Sequence, residues 1–361
     1  MVCITGCGAP GEPVPPAPPI PATITDLKAM QAGDGVQLSF TLPRKSAGGE
    51  PLDQPPALEI LRGVGLPDGQ ADAKSFRVVG HVPGALTQNF IFAGHMQYFD
   101  PLSAAETEAR PGRSLFYRVR TRVSSKFASA DSNTVAVLVF PVAERVSRLE
   151  TKVAETAIEL SWPVPPHTSG GQPLTGLIGY AIYRGELDPA SAEAAASDAA
   201  KAIWKGPFQQ IGKSENNTYR DTTFDFGKCY LYVVRSVTTA GSSAIESADS
   251  VAAIVTPQDT FPPAAPQNVV TAILPGEDAD HVIVELSWSI GVETDLAGYR
   301  VYRSEEEGTR GVLLTQELLV TPAYRDNSVA IGHHYWYTIT AVDRFNNESL
   351  SSVASVVAVT P

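Results

Sequence analysis

The chain has little cysteine and no long apolar run. Its 361 residues include three cysteines, Cys3, Cys7 and Cys229, which are too few to hold a disulfide scaffold together. Stability must therefore come from packed cores. No stretch reaches the roughly 18 consecutive apolar residues that a membrane-spanning helix needs, so no such helix is expected.

Charge is also sparse, and dense basic runs are missing. Charged residues make up 18% of the chain, and the formal net charge is −12. An acidic chain without a basic run is a poor partner for phosphate backbones, so nucleic acid is not an expected ligand. Residues 259–361 carry most of the negative charge.

Motifs for catalysis, cofactors and metals are lacking as well. The histidines show no zinc-site spacing, and no phosphate-binding glycine loop or nucleophile elbow occurs. His167 directly precedes the string Thr168–Leu174, which contains Ser169 and recurs as Ser46–Leu52; this indicates a repeated turn rather than a catalytic pair. Three oxygen-bearing residues invite comparison with a calcium loop: Asp343, Asn346 and Glu348. Their spacing does not match an EF-hand and is better explained by a polar hairpin turn. We expect no enzyme activity, cofactor or metal.

The amino terminus combines a short cysteine motif with a proline-rich stretch. Ile4–Cys7 resembles a bacterial lipobox, which implies acylation of Cys7, and Gly8 in the next position implies sorting to an outer membrane. Only six residues precede Cys7, so either the recorded start lies inside a signal peptide or the match is accidental. Residues 8–21 carry seven prolines and are expected to form an extended polyproline stalk of about 43 Å, or else a disordered tail.

Glycine and proline, 29 of each, divide the rest of the chain into short alternating segments. Such segments separated by turns are typical of β-sandwiches and barrels. Four strings recur three times in the same order, which indicates three copies of one unit. They are Val36–Phe40, Ile158–Trp162 and Val284–Trp288; Leu58–Gly63, Tyr180–Gly185 and Tyr299–Ser304; Tyr98–Asp100, Tyr219–Asp221 and Tyr324–Asp326; and Leu115–Val119, Tyr230–Val234 and Tyr335–Ile339.

The aromatic positions distinguish between sandwich families. An immunoglobulin domain has its tryptophan on the third strand, against a disulfide between the second and sixth strands. Here Trp162 and Trp288 end the second predicted strand, Phe40 takes their place in the first copy, and no cysteine pair is available. Tyr230 and Tyr335 occupy the position of a tyrosine corner, where a buried ring sends its hydroxyl back to the backbone. We expect all five aromatic residues in the cores.

These features resemble the extracellular bacterial fibronectin type III domain, as do the strings DLAGYRVYRS and AVDRFNNES near the carboxyl end. The resemblance implies an all-β chain of three tandem immunoglobulin-like sandwiches after the stalk. Predicted boundaries are residues 1–21 for signal and stalk, then 22–143, 144–258 and 259–361 for the domains. The first copy diverges, because it has Leu115 at the corner position.

The second copy contains an insertion between strands. Asp188 can cap a helix, Pro189 suits its first position, and an alanine-rich run continues towards Trp204. We predict a short helix at the edge of the sandwich. It is interpreted as a surface excursion that covers an edge strand, with a ligand lid as the alternative.

Two surface features follow from the alternation of strand residues. With Leu115, Tyr117, Val119 and Thr121 facing inward, three arginines form an outward row: Arg118, Arg120 and Arg122. This row is either a solvated face or a site for an anionic polymer or lipid headgroup. By the same alternation Cys229, next to the inward Tyr230, is expected on the outer side of its strand. It is interpreted as an unpaired cysteine, with an intermolecular disulfide as the alternative.

The function expected from the sequence is that of a binding, adhesion or spacer protein. It would be anchored in the cell envelope through Cys7, facing the periplasm or the exterior. The alternative is an accessory polysaccharide-binding protein that works with a secreted glycoside hydrolase, because related domains flank such enzymes. Neither the protein or polysaccharide ligand nor the oligomeric state follows from the sequence.

Overall fold

The structure, a computed structural model, describes residues 18–92, 94–197, 201–241, 243–276 and 281–360. Cys7 and most of the proline-rich segment lie outside these ranges. The described chain is nearly all β, and its principal strands form six antiparallel sheets, two in each sequence repeat. The all-β fold class predicted from the sequence is confirmed. No helix among the described residues is long and apolar enough to cross a membrane.

In the first repeat one sheet has the strand order β1-β2-β6-β5 and the other β4-β3-β7-β8. A 3-10 turn, Gly84–Phe90, precedes β5. The elements are β1 (Lys28–Ala32), β2 (Gly35–Phe40), β3 (Ala57–Val64), β4 (Arg77–Val82), β5 (Ile91–Phe92), β6 (His95–Pro101), α1 (Ala104–Glu108), β7 (Arg113–Arg122) and β8 (Val135–Val139).

In the second repeat the sheets are β13-β10-β9 and β12-β11-β14-β15, with β16 also paired to β14. The elements are β9 (Glu150–Ala154), β10 (Ala157–Ser161), β11 (Leu177–Leu187), a 3-10 turn (Pro189–Ser191), α2 (Ala192–Ser197), β12 (Gln209–Ser214), β13 (Thr218–Asp221), β14 (Cys229–Ala240), β15 (Ser243–Glu246) and β16 (Ala253–Val255).

In the third repeat the sheets are β17-β18-β21 and β20-β19-β22-β23. The elements are β17 (Val270–Pro275), β18 (Val282–Ser287), β19 (Leu296–Ser304), β20 (Val312–Leu313), β21 (Ala323–Asp326), β22 (His334–Asp343) and β23 (Ser355–Ala358).

Alternation along the strands places the cores between paired sheets. In β2 the side chains of Val36, Leu38 and Phe40 are buried, whereas Gln37 and Ser39 between them are half-buried on the other face. They pack into one cluster with residues of the opposite sheet such as Ile60 and Val119. Because successive strand residues point to opposite faces, the apolar–polar pattern alone fixes which face is buried.

The described chain divides into two compact units. One holds residues up to Lys152 with Ile158–Thr223 and Lys228–Val255, and the other holds Val153–Ala157, Phe224–Gly227 and Thr256–Pro361. The first two repeats thus lie almost entirely in one unit, and two short segments of the second repeat group with the third. The division into three domains at the boundaries given above stays a prediction.

The linker after β8 is held by hydrogen bonds within the first unit. The side-chain amide of Gln31 donates to the Phe140 carbonyl at 2.7 Å and accepts from the Phe140 N–H at 3.0 Å. Phe140 also packs on a small buried cluster of Val142, Ala240 and Ile245. The side chain of Gln31 therefore holds the linker on the first repeat, and the apolar contacts of Phe140 connect it to the second.

Candidate functional site

The residues predicted for the cores are buried. Phe40, Trp162 and Trp288 are 1%, 3% and 6% exposed. Each tryptophan packs edge-on against a tyrosine of the neighbouring sheet, Trp162 on Tyr180 and Trp288 on Tyr299, with ring centroids 5.1 and 5.3 Å apart. Such edge-to-face contacts stabilise a core beyond simple burial by about 0.5–1.5 kcal/mol. These residues therefore hold the sandwiches together.

The two corner tyrosines are buried and each lies beneath an arginine. The Tyr335 hydroxyl accepts a hydrogen bond from the Ala330 N–H at 3.1 Å, which is a contact to the backbone of the preceding loop. The guanidinium of Arg303 lies over the Tyr335 ring at 4.9 Å, and that of Arg184 lies over the Tyr230 ring at 4.8 Å. The corner thus belongs to a larger polar group.

The centre of that group is a buried tyrosine–aspartate pair that recurs in all three repeats. The donors are the tyrosines two residues after each corner position, and the acceptors are the aspartates that end the recurring Tyr-x-Asp strings. The bonds are Tyr117 to Asp100 at 2.7 Å, Tyr232 to Asp221 at 2.8 Å and Tyr337 to Asp326 at 2.8 Å. Each pair joins the two sheets of its repeat through the core.

An arginine completes each group. Arg184 donates to Asp221 at 2.5 Å, Arg303 donates to Asp326 at 2.6 Å, and Arg62 donates to Asp100 at 2.9 Å. We call the three sets the Tyr–Asp–Arg groups. Sequence reasoning found each member among the recurring strings but did not connect them, because the register between the two sheets of a sandwich is not visible in a single strand.

In the second and third repeats the surroundings of Asp221 and Asp326 favour the charged form of the carboxyl group. Burial alone would raise the pKa of Asp221, but hydrogen bonds from Thr223 and Tyr232 and the charge of Arg184 outweigh it and lower that pKa below its ordinary value. The pKa of Asp326 is lowered in the same way, against burial, by bonds from Ser328, Tyr337 and Arg303. Burial and the adjacent carboxylate raise the pKa of both tyrosines, Tyr232 and Tyr337.

The divergent first repeat replaces the corner tyrosine with a helix. Leu115 offers no ring face or hydroxyl at the corner position, and Arg62 instead donates to Glu106 at 2.8 Å. Glu106 belongs to the first turn of α1, where it forms a reciprocal capping box with Ser103. In the first repeat, Glu106 of a short capped helix therefore binds Arg62. In the other two repeats, the equivalent arginine stacks on the ring of the corner tyrosine.

The predicted arginine row exists and is paired with acidic residues. Glu59 on β3 accepts hydrogen bonds from Arg120 at 2.7 Å and from Arg122 at 2.6 Å. Arg118 lies 3.5 Å from Asp131 and stacks over the Phe76 ring at 4.1 Å. Three guanidinium groups thus share two carboxylates. Anion binding by this row stays a prediction.

Cys229 is a free cysteine on the predicted side of its strand, but that side is not open to solvent. Cys229 lies on the outer side of β14 but is only 2% exposed, because the insertion packs over that side. Asp188 accepts a bond from the Ala190 N–H at 2.9 Å and starts a 3-10 turn that continues into α2. Ala195 of α2 then packs with Leu231 and the thiol. The insertion therefore covers the outer face of this sheet and also contacts its edge strand β16. The signal was the apolar run at the start of β14, which is typical of a strand buried on both faces.

The three residues compared with a calcium loop have separate roles. Glu348 accepts hydrogen bonds from Arg300, Tyr302 and Thr340. Asn346 has a positive φ of 67° in a turn. The carboxylate of Asp343 is buried and accepts from the backbone N–H of Phe345 at 2.8 Å.

Asp343 instead belongs to a cluster with two other aspartates within the second unit. Carboxylate oxygens of Asp259, Asp295 and Asp343 lie within 4.8 Å of one another. Oxygen donors of this kind suit a hard divalent cation. Next to them a pocket of about 330 Å³ is lined by acidic residues and by phenyl rings such as Phe226 and Phe345.

The string that follows His167, Thr168–Leu174, forms a repeated turn. Thr168 N–H donates to the Gln172 carbonyl at 2.8 Å, and the matching Ser46 N–H donates to the Glu50 carbonyl at 2.7 Å. His167 itself lies 3.7 Å from Glu144 and is half exposed. The geometry is that of a surface loop, without a nucleophile–base contact.

A pocket specific to the first repeat opens at one end of its sandwich. It encloses about 670 Å³, within the range of small-ligand sites, and lies between the β2–β3 loop and the segment leading to β6. The equivalent strands of the other repeats lack the 3-10 turn Gly84–Phe90 that forms one wall. Its lining includes Thr41, Arg44, Lys45, Gln54, Gln88 and Ile91.

The outer face of the first sheet continues from this pocket and carries exposed rings among amide groups. Phe92 and Phe99 are 74% and 42% exposed. Gln37 donates to the Gln97 side-chain oxygen at 3.0 Å, and Gln97 donates to the Ser39 hydroxyl at 3.1 Å. We call this surface the aromatic–amide face; its residues are Gln37, Ser39, Phe92, His95, Gln97 and Phe99.

Comparisons with known proteins give partial likenesses. No family model matches the chain. It is 37% identical over 100 residues to an amylopullulanase of Thermoanaerobacterium saccharolyticum, a match that covers 27% of this chain and 7% of that protein. A two-domain fibronectin type III segment of chicken tenascin matches with 15% identity and a TM-score of 0.35, over 60% of this chain and 99% of that one.

Proposed function

We propose that the chain is a non-catalytic binding and spacer protein. The observation that supports this most strongly is that the buried ionisable groups recur. A catalytic site occurs once and uses perturbed groups in a cleft. Here the groups with the most perturbed pKa values are those of the Tyr–Asp–Arg groups, which stand in the same structural place in all three repeats and connect sheets. The joined linker at Gln31 and Phe140 supports the role of spacer.

The proposal places the protein at the cell envelope, anchored through Cys7 and facing the periplasm or the exterior. Support comes from the lipobox resemblance and from the attachment of the stalk's end. The Ala47 N–H donates to the Ile20 carbonyl at 2.8 Å, and the Ala22 N–H donates to the Lys45 carbonyl at 2.9 Å. A tether ending at Pro21 would thus be fastened to the first sandwich and would not pull on its core.

Metabolic labelling tests the anchor. The gene expressed in a bacterium under its own start should incorporate a palmitate analogue, and Cys7→Ala should abolish both the label and recovery in the membrane fraction. Cys229→Ala serves as the matched control and should keep the label. An unlabelled wild-type protein recovered without detergent would refute the envelope anchor.

Polysaccharide binding in support of a glycoside hydrolase is the second candidate. It is favoured by the similarity to part of an amylopullulanase, an enzyme of which the matching stretch is a small fraction. Binding of the purified chain to an array of neutral and acidic glycans separates this role from that of a plain spacer. A plain spacer should bind none of the glycans, whereas an accessory protein should bind at least one class of glycan.

A further inference from the structure

The aromatic–amide face is held in a fixed arrangement by the strand register. On β2 and β6, Gln37 stands opposite Phe99, and Ser39 stands opposite Gln97. Phe92 on β5 stands opposite His95. Because the alternate residues of these strands point into the core, all six side chains emerge on the outer side of the sheet. The face thus presents three adjacent rows of ring, amide, hydroxyl and imidazole groups.

The amides on this face are oriented before any ligand arrives. Gln37 bonds to Gln97, and Gln97 bonds to Ser39, so neither amide is free to rotate without breaking a hydrogen bond. A side-chain amide has two N–H donors and a carbonyl acceptor, so it can pair with a hydroxyl group in either direction. Groups held in place lose little conformational entropy on binding.

Apolar side chains on and beside this face are exposed to solvent. Phe92 is 74% exposed, and Met30, which stands opposite Gln37 on β1, is 66% exposed. Apolar side chains that are exposed together with a polar surround are typical of binding surfaces. The planar face of a ring complements the C–H face of a pyranose, while amides and hydroxyls complement its equatorial hydroxyl groups.

The charge of the face distinguishes between ligand classes. None of its six residues is a carboxylate, although the whole chain has a net charge of −12. Asp26, beside His95, accepts a hydrogen bond from the Thr41 N–H at 3.1 Å. Lys28 on β1, opposite Ser39, is the cationic group beside these rows. A surface that is nearly neutral and rich in hydroxyl partners complements a neutral ligand better than an anionic polymer or a basic peptide.

We infer that the aromatic–amide face binds a neutral polysaccharide strand, which extends towards the pocket of the first repeat at Thr41. This inference rests on the second candidate function and names its ligand class and its surface. The contact of Thr41 with His95, whose side-chain atoms lie 3.5 Å apart, joins the two sites.

Affinity electrophoresis of the full chain tests the inference, with pullulan, soluble starch and hydroxyethylcellulose as probes in separate gels. The variants are Phe92→Ala, Gln97→Ala and their combination. Phe345→Ala is the matched control, because Phe345 is also a half-exposed ring, 52% exposed, but lies in the third repeat. Phe92 is so exposed that its removal is not expected to affect folding, which circular dichroism checks.

At least one probe should retard the wild-type chain, and the double variant should bind that probe about tenfold more weakly or worse. The Phe345→Ala protein should bind as the wild type does. A double variant that binds within twofold of wild type would overturn the assignment of this face while leaving polysaccharide binding intact. A wild-type chain that none of these neutral probes retards would overturn the inference, and polysaccharide binding as such would be overturned only if the array of acidic glycans were negative as well. Sedimentation that shows wild-type dimers and a monomeric double variant would identify a second copy as the occupant instead.

Discussion

Tyr337→Phe removes one oxygen atom from the interior of the third repeat. The Tyr337 side chain is fully buried, and its hydroxyl donates to the Asp326 carboxylate at 2.8 Å. Asp326 keeps its bonds from Arg303 and from the N–H and hydroxyl of Ser328. A hydrogen bond to a charged acceptor contributes about 1.5–3 kcal/mol, so the free energy of unfolding of this repeat should fall by about that amount.

Tyr335→Phe is the matched control in the same strand. Its hydroxyl accepts a bond from the Ala330 N–H at 3.1 Å, and neither partner is charged. A neutral hydrogen bond contributes about 0.5–1.5 kcal/mol. The two substitutions delete the same atom from equally buried rings, so the difference between them isolates the charge of Asp326.

The pH dependence gives a second test. Bonds from Ser328, Tyr337 and Arg303 outweigh burial and lower the pKa of folded Asp326 below that of the unfolded chain, about 3.9. The stability from ionised Asp326 is therefore present above about pH 4 and is lost as the pH falls through the folded pKa. The cost of Tyr337→Phe should shrink in that acid range, and the cost of Tyr335→Phe should stay constant.

Hydrogen exchange of the β22 amides, followed by mass spectrometry, measures the opening free energy of this repeat separately from the rest of the chain. The series runs from pH 7 to the acid limit of folding. Equal costs for the two tyrosine variants at pH 7, or a cost of Tyr337→Phe that does not change with pH, would refute the charged role assigned to Asp326.

Two further predictions concern the surface and the insertion. Replacing all three arginines of the row with serine should weaken binding to anionic vesicles or lipopolysaccharide. The control replaces three exposed arginines elsewhere, which changes the net charge equally. Unchanged binding of the row variant would show that the row only forms ion pairs with Glu59 and Asp131. The two sets are Arg118, Arg120 and Arg122, and, as control, Arg148, Arg220 and Arg325. The buried Cys229 thiol should react with iodoacetamide only when the chain opens, and non-reducing gels should show no dimer through it; rapid labelling of the native chain would contradict the packing of α2 over β14.

The sequence predicted the fold well because period-two alternation reports burial directly. Phe40, Trp162 and Trp288 could be assigned to a core from their own strings, since each ends an alternating strand. The same rule did not predict that Cys229 is buried. Alternation decides which side of a strand a residue occupies, but not whether another element covers that side. The covering helix lies in an insertion with no counterpart in the other repeats.

Contacts between sheets were less accessible from sequence. The Tyr–Asp–Arg groups bring together residues that are far apart in the chain; Arg62 and its hydrogen-bond partner Asp100 are 38 positions apart. Each residue type is ordinary for its strand, and only the pairing of two sheets joins them. The aromatic–amide face was equally inaccessible for a different reason: Gln37 and Gln97 are 60 residues apart and meet through the register of β2 and β6 within one sheet.

The amide of Gln31 has a mechanical consequence. The Gln31 amide donates one hydrogen bond to the Phe140 backbone and accepts one from it, as a paired strand residue would. The linker is therefore bound to the side of β1 before it enters the second repeat. A pulling force carried along the chain from Phe140 would be shared by this clamp and β8. Torque at the joint would be resisted in the same way. Inserting residues after Phe140 would lengthen the linker and keep these two bonds, whereas replacing Gln31 would release Phe140 from β1 and leave the joint to its apolar contacts.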